Sequence, residues 1–273
     1  MPMTIERPAQ LAFIETRAHA RFVEFAEACA TYRYIGVSHG RPGVGKTRSA
    51  HEYAAWPDMR GYPIADPLTD PMASRIAQCR AFFYTAPVAN TPKTLNDGMA
   101  FNILKLGHAR RTLEGAMDRV EALQGAEQAC PLVVVDEADR LTLKSLEHLR
   151  DLYDRHGFGL ILLGMPGLEK RLARYAQFYS RIGFVHEFKP LSETEMRFIL
   201  ARHAATFGLH FDPDCLEAVE ALAAVIRITR GNFRLMERLF TQMQRIMALN
   251  QVDAVSPAVV EAARDCLVIG AAD

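Results

Sequence analysis

The run Gly40-Arg-Pro-Gly-Val-Gly-Lys46-Thr47 brings glycines, an ammonium group and a hydroxyl together in one short stretch. Such a combination suits a bound anion. Gly43 and Gly45 let the backbone turn inward, so that successive N–H groups face one phosphate. A helix beginning at the end of the run adds a favourable dipole. Lys46 supplies a point charge to the outer phosphates, and the Thr47 hydroxyl is a ligand for a hard cation. The spacing G-x-x-x-x-G-K-[ST] is met at every fixed position, and it carries weight only between a strand and a helix. Here an apolar stretch, 34–37, precedes it and a helix-periodic stretch, 47–53, follows it. Gly40, Pro42, Gly43, Val44, Gly45, Lys46, Thr47 and Arg48 are therefore the expected nucleotide-binding residues. The alternative is a chance glycine turn ahead of a helix.

A second group completes the chemistry. Leu132-Val-Val-Val-Asp136-Glu137 is an apolar, β-branched run that ends in two carboxylates. At the C-terminal end of a buried parallel strand, such residues lie where open α/β sheets bind ligands. Asp136 is the expected Mg²⁺ partner, together with Thr47. Glu137 is placed to orient or deprotonate a water, which implies hydrolysis. The plain alternative is a solvated acidic pair. The letters Asp136-Glu137-Ala138-Asp139 invite a helicase reading. Such helicases need a second α/β motor domain, and the remainder of this chain is short and helical.

These groups need a scaffold, and hydrophobic periodicity supplies one. Residues 8–30 read as an amphipathic helix carrying Leu11, Ile14, Ala18, Phe22, Phe25 and Cys29. The prolines at 57, 63, 67 and 71 mark a loop or irregular excursion over 57–72. Strands are predicted at 81–85, 132–135, 159–163 and 183–188, with helices over 95–124 and 143–155. Alternating strands and helices give an α/β parallel sheet. After Pro190 the pattern becomes helical, over 192–207, 213–226, 232–249 and 257–268. Ser192 followed by Glu195, and Ser256 followed by Pro257, are helix starts. The expected organisation is an N-terminal helix (1–30), an α/β core (31–190) and a small helical domain (191–273).

Composition sets broad limits. The chain has 273 residues, 49% hydrophobic and 23% charged, which excludes a disordered chain, a collagen and a coiled-coil rod. No apolar stretch approaches the ~18 residues of a membrane helix. The first ten residues show no basic start followed by an apolar core, so no secretory leader is expected. Lys+Arg and Asp+Glu number 32 each. Whole-chain charge therefore gives no pull toward nucleic acid, and DNA binding must come from a local patch. Cys29, Cys79, Cys130, Cys215 and Cys266 are widely spaced and form no C-x-x-C, so buried free thiols in a reducing cytosol are expected.

Two arginines stand out beyond the phosphate loop. Ser180-Arg181-Ile182-Gly183 precedes the fifth strand, in a stretch where basic residues outnumber acidic ones. Arg181 could reach a neighbouring subunit's γ-phosphate, which would make nucleotide the glue between subunits. A solvated arginine is the alternative. Thr229-Arg-Gly-Asn-Phe-Arg234 opens a helix in the last domain. Arg234 could contact nucleotide from above. The stripe Phe233, Met236, Leu239, Phe240, Met243 and Met247 on the same helix is more simply core.

Taken together, GRPGVGKT, LVVVDEADRL, GLILLGMPGLEKRL, SRIG and TRGNFRLMERL resemble the AAA+ ATPases. Within them, the chain is similar to the transposon target-selection ATPases, the group of the TnsC, TniB and phage Mu B proteins. The resemblance covers residues 31–268. It implies a P-loop NTPase (AAA+) α/β fold, with a parallel five-stranded sheet sandwiched by helices and followed by a small all-α lid domain. It implies an ATPase using ATP and Mg²⁺, cytoplasmic, bacterial and nucleoid-associated. Its subunits would assemble as rings or helical filaments on double-stranded DNA without sequence preference. They would recruit a DDE-type transposase, with a targeting protein as a further partner and no membrane, and hydrolysis would drive disassembly. By position, Lys46 and Glu137 are catalytic, Arg181 looks like the trans arginine finger and Arg234 like the second sensor. DNA contacts would fall on Lys93 and Thr94 in a loop after the second strand, and on Arg110, Arg111 and Thr112 in a helical region. A surface turn and a solvated helix face are the alternatives there.

One position departs from the family pattern. The first sensor, after Leu163-Gly164, is usually polar, and here it is Met165. Either Asn90 or another polar group substitutes, or hydrolysis is slow. Other functions remain in play: a nucleotide-switched scaffold with negligible turnover, a secretion-associated ATPase of the ExeA type, and a small-molecule kinase.

Overall fold

The computed structural model describes residues 13–56, 70–115, 118–207, 209–212 and 214–267. The start of the N-terminal helix reading (8–12), most of the proline-rich stretch (57–69) and the leader reading (1–10) lie outside them. The chain divides into two compact units. One comprises Arg17–Arg41 and Lys46–Phe188. The other holds the described residues of Lys189–Asp273 together with the turn Pro42–Gly45 and the residues just before Arg17.

The larger unit is an α/β sandwich. Its elements are α1 (Arg17–Tyr32), β1 (Ile35–Gly40), α2 (Lys46–Ala54), α3 (Asp70–Gln78), β2 (Phe82–Thr85) and α4 (Pro92–Leu113). Then come α5 (Arg119–Leu123), α6 (Ala126–Ala129), β3 (Leu132–Asp136), α7 (Leu143–His156), β4 (Gly159–Gly164), α8 (Leu168–Leu172), α9 (Ala176–Tyr179) and β5 (Ile182–Phe188). The five strands pair in parallel in the order β2-β3-β4-β1-β5. β3 and β4 are buried along their whole length, because helices cover both faces of a parallel sheet. β5 alternates half-buried and exposed residues, as an edge strand does.

Local chemistry sets the element ends. Thr91 caps α4 and exchanges hydrogen bonds with Thr94, with Pro92 in the first turn. α4 lies close against α6 at Gly107, where a Cβ would stand 1.5 Å from the Ala126 carbonyl oxygen. α7 is capped by Thr142 and ends on Gly157 in the left-handed region. Three cysteines, Cys29, Cys79 and Cys130, are buried in this unit.

The smaller unit is helical: α10 (Glu193–His203), α11 (Leu216–Thr229), α12 (Phe233–Asn250) and α13 (Pro257–Asp265). Ser192 and Glu195 form the expected capping box, and Ser256 caps α13 ahead of Pro257. Met236, Leu239, Phe240, Met243 and Met247 form the buried stripe of α12. Cys215 and Cys266 are exposed here. Among the described residues, no helix is long and apolar enough to cross a membrane.

Candidate active site

The glycine run occupies the turn between β1 and α2. Gly43 and Gly45 sit at φ +79° and +95°, where an L side chain is strained. Lys46 opens α2 and folds back over its own loop, donating from Nζ to the carbonyls of Gly40 (2.5 Å) and Arg41 (3.0 Å). Val44 is buried, whereas Pro42 and Arg48 are exposed. Asn232 donates from Nδ2 to the Pro42 carbonyl (3.2 Å) and accepts from the Leu235 N–H at the start of α12. The Phe233 N–H donates to the Gly43 carbonyl at 2.9 Å.

β3 delivers the acidic pair. Asp136 is buried, and its Oδ2 accepts from the Thr47 hydroxyl at 2.8 Å. Its Oδ1 accepts from the Glu137 N–H at 2.8 Å. The two expected Mg²⁺ ligands are thus in direct contact, and both are hard oxygen donors. That donor set fits Mg²⁺, which takes one or two protein oxygens and completes its shell with water and phosphate. Among the described residues no group of three or more His, Cys, Asp or Glu side chains could hold a metal.

Glu137 follows at φ 55°, ψ 38°, a left-handed conformation that costs a non-glycine residue on the order of 1 kcal/mol. The turn carries its carboxylate away from the strand, half exposed and 3.6 Å from the Arg140 guanidinium. Arg140 also donates to the Ala86 carbonyl at the end of β2. His51 of α2 stacks on Phe83 at 3.8 Å. Burial lowers its imidazole below the ordinary range, while the Asp136 charge pulls the other way.

At the expected first sensor position, Met165 is 38% exposed and its backbone N–H donates to Asp139 Oδ2 at 2.6 Å. Asp139 therefore fixes the end of β4, and Arg171 donates to the carbonyls of Asp139 and Leu141. Asn90, the expected substitute for a polar sensor, is held by its neighbours. Its amide donates to the Arg140 and Pro87 carbonyls, and its oxygen accepts from the Thr142 N–H. The bonds to Arg140 and Thr142 tie the loop after β2 to the one after β3.

The remaining candidates are dispersed. Arg181 precedes β5 and grips Asp154 of α7 through two hydrogen bonds, from Nε (2.7 Å) and Nη2 (2.9 Å). Arg234 is exposed in the first turn of α12. Lys93 and Thr94 lie in the first turn of α4 rather than in a loop, and the Thr94 hydroxyl is occupied by the cap. Arg110, Arg111 and Thr112 are in the last turn of that helix, about 25 Å away by helical rise. Arg110 donates to the Cys79 carbonyl, Arg111 pairs with Glu114, and Thr112 bonds the His108 carbonyl. The two basic groups thus form no single patch within one subunit. Sequence reasoning missed Asp139, Asp154 and Asn232, whose roles depend on partners far along the chain.

Comparison with known proteins places this geometry. The family described as AAA domain matches residues 30–172. A potential ATP-binding protein of Staphylococcus aureus is 41% identical over 276 residues, covering 94% of this chain and 97% of that protein. The Mu-like prophage FluMu DNA transposition protein B of Haemophilus influenzae is 23% identical over 261 residues, covering 91% of this chain and 77% of that protein. Among solved structures, the RuvB Holliday junction branch migration motor of Thermotoga maritima superposes with a TM-score of 0.57 at 18% identity, covering 93% of this chain and 70% of that one. That likeness concerns the fold: a P-loop sheet followed by a helical region. With its phosphate loop, its paired Thr47 and Asp136 and its strand order, the chain belongs to the AAA-domain family of ATPases.

Proposed function

We propose that this chain is an ATP-dependent regulator of DNA transposition that assembles on duplex DNA. The observation that carries the reading is the likeness to a DNA transposition protein over 91% of the chain, through both units. In this reading the glycine turn and Lys46 hold the triphosphate, and Thr47 and Asp136 hold Mg²⁺. When bound, that ion neutralises charge on the β- and γ-phosphate oxygens. Glu137 orients a water and accepts its proton as the oxygen attacks the γ-phosphorus. The bond to the β–γ bridging oxygen breaks, leaving ADP and inorganic phosphate. Arg181 of one subunit faces the nucleotide of the next, and Arg234 reports its state to the helical domain. Domain limits at 1–30, 31–190 and 191–273 belong to the same reading.

DNA is held through Lys93 and the Arg110–Arg111 end of α4, without base readout. Because these groups are separated, a continuous basic track arises only when subunits repeat. A DDE-type transposase and a targeting protein are the partners, in a bacterial nucleoid setting. Electron microscopy of the chain with duplex DNA tests this, with and without a slowly hydrolysed ATP analogue and with Lys46→Ala as control. Nucleotide-dependent rings or filaments, absent in the variant, are expected. A monomer indifferent to DNA would overturn the reading.

A second reading, a nucleotide switch with very slow turnover, is favoured by one observation. The Met165 side chain has no hydrogen-bond donor to offer at the sensor position, and both amide N–H groups of Asn90 are taken up elsewhere.

A further inference from the structure

Arg181 is committed within its own subunit. Its Nε and Nη2 donate to the two oxygens of Asp154, and its Nη1 donates to the Gln177 carbonyl. The Nε–Nη2 edge is one that an arginine uses to hold two oxygens of a carboxylate or a phosphate. Asp154 is itself shared. Its Oδ2 also accepts from Arg150 Nη1 at 2.7 Å, and Arg150 Nε reaches Glu147 at 3.0 Å. Two arginines and two carboxylates thus form one neutral network. The Arg181 and Asp154 side chains are 31% and 34% exposed, so the pair stands where a neighbouring molecule can reach it.

We propose that Asp154 is a storage clamp for Arg181, which a triphosphate on a neighbouring copy of this chain must displace during assembly. This inference rests on the reading of Arg181 as the trans arginine. A carboxylate and a polyphosphate compete for the same edge of one guanidinium. While Asp154 holds that edge, the network is neutral and offers the neighbour's nucleotide no net attraction. Release exposes one positive charge against several negative ones. Asp154 therefore sets the protein concentration at which nucleotide-bound subunits join, and Arg150 opposes it by drawing on the same carboxylate.

The test measures assembly of the full chain by light scattering against protein concentration, with duplex DNA and a slowly hydrolysed ATP analogue. Asp154→Asn should lower the half-assembly concentration by about two- to fivefold, the scale of a partly exposed ion pair. Arg150→Gln should raise it, because Asp154 then serves Arg181 alone. The double variant Asp154→Asn with Arg181→Ala should behave like Arg181→Ala. Opposite shifts from Asp154→Asn and Arg150→Gln are what a merely structural network would not give. An unchanged or raised midpoint for Asp154→Asn, in protein that melts as a folded chain, overturns the clamp. If Asp154→Asn does not fold, an unchanged or lowered midpoint for Arg150→Gln overturns it. Arg181→Ala assembling like the unaltered chain overturns instead the reading on which the clamp rests.

Discussion

The Thr47 hydroxyl donates to Asp136 Oδ2 across 2.8 Å, joining the first turn of α2 to the end of β3. The residues are 89 positions apart in the chain. The contact needs the β1–β4–β3 register, so it reports that the two elements carrying these residues are in place.

Glu137 is next to this pair but is not part of it. Glu137→Gln should therefore leave nucleotide affinity within about threefold while cutting hydrolysis by roughly 10²–10³, the scale of a lost general base. Asp136→Asn should lose hydrolysis and also most of the Mg²⁺ dependence of nucleotide binding. Fluorescent-nucleotide titration with and without Mg²⁺, beside a phosphate-release assay, separates the two. Equal loss of binding in both variants would contradict the division of roles.

In the proposed reading, Met165 stands where a polar side chain would order the attacking water. Met165→Asn should raise phosphate release several-fold, on the order of one hydrogen bond. Steady-state turnover of the two proteins under saturating ATP checks this. No change in turnover argues against slow hydrolysis arising at this position.

Gly107 places α4 against α6 with no room for a side chain, since the obstacle is the Ala126 backbone carbonyl. Gly107→Ala should destabilise the larger unit by about 2–3 kcal/mol, as overpacking does. Its helix-propensity gain over glycine, about 1 kcal/mol, does not offset the clash. Chemical denaturation gives the difference directly, and a stabilised variant would show that the helices can separate freely.

His186 of β5 is packed among Phe22, Phe25 and Phe188. Burial, with His39 and Arg21 nearby, lowers its pKa to about 4, and Glu187 opposes the shift. The unfolded imidazole binds protons near the ordinary value of about 6.5. Between these values the unfolded chain holds more protons, so the stability His186 contributes is present above about 6.5 and lost as pH falls toward 4. Melting temperature should fall more steeply over that window in the unaltered chain than in His186→Phe. Parallel curves would remove His186 from the acid response.

Much of this molecule is legible in its residues, for reasons that differ by element. β3 and β4 are visible because strands buried on both faces are continuous apolar runs. The phosphate turn is visible because its glycines meet a backbone requirement, φ +79° and +95°. α3 is not, because Pro71 reads as a loop signal although it lies in the helix's first turn, where a proline costs little. The same effect hides the first turn of α4, which starts at Pro92 rather than Leu95. α8 and α9 are five and four residues long, too short to show a period of 3.6. Asp154 carries no local signature at all, since its meaning comes from Arg181, 27 residues further on in another element.

The distribution of thiols has a practical consequence. Burial pushes Cys29 up to about 12, Cys79 to about 11 and Cys130 to about 12, so none carries much thiolate near neutrality. The two exposed thiols, Cys215 and Cys266, both belong to the helical unit. A maleimide dye added to the native protein at neutral pH therefore marks that unit alone, with no engineered cysteine. The chain comes with its own optical reporter of the unit that carries Arg234.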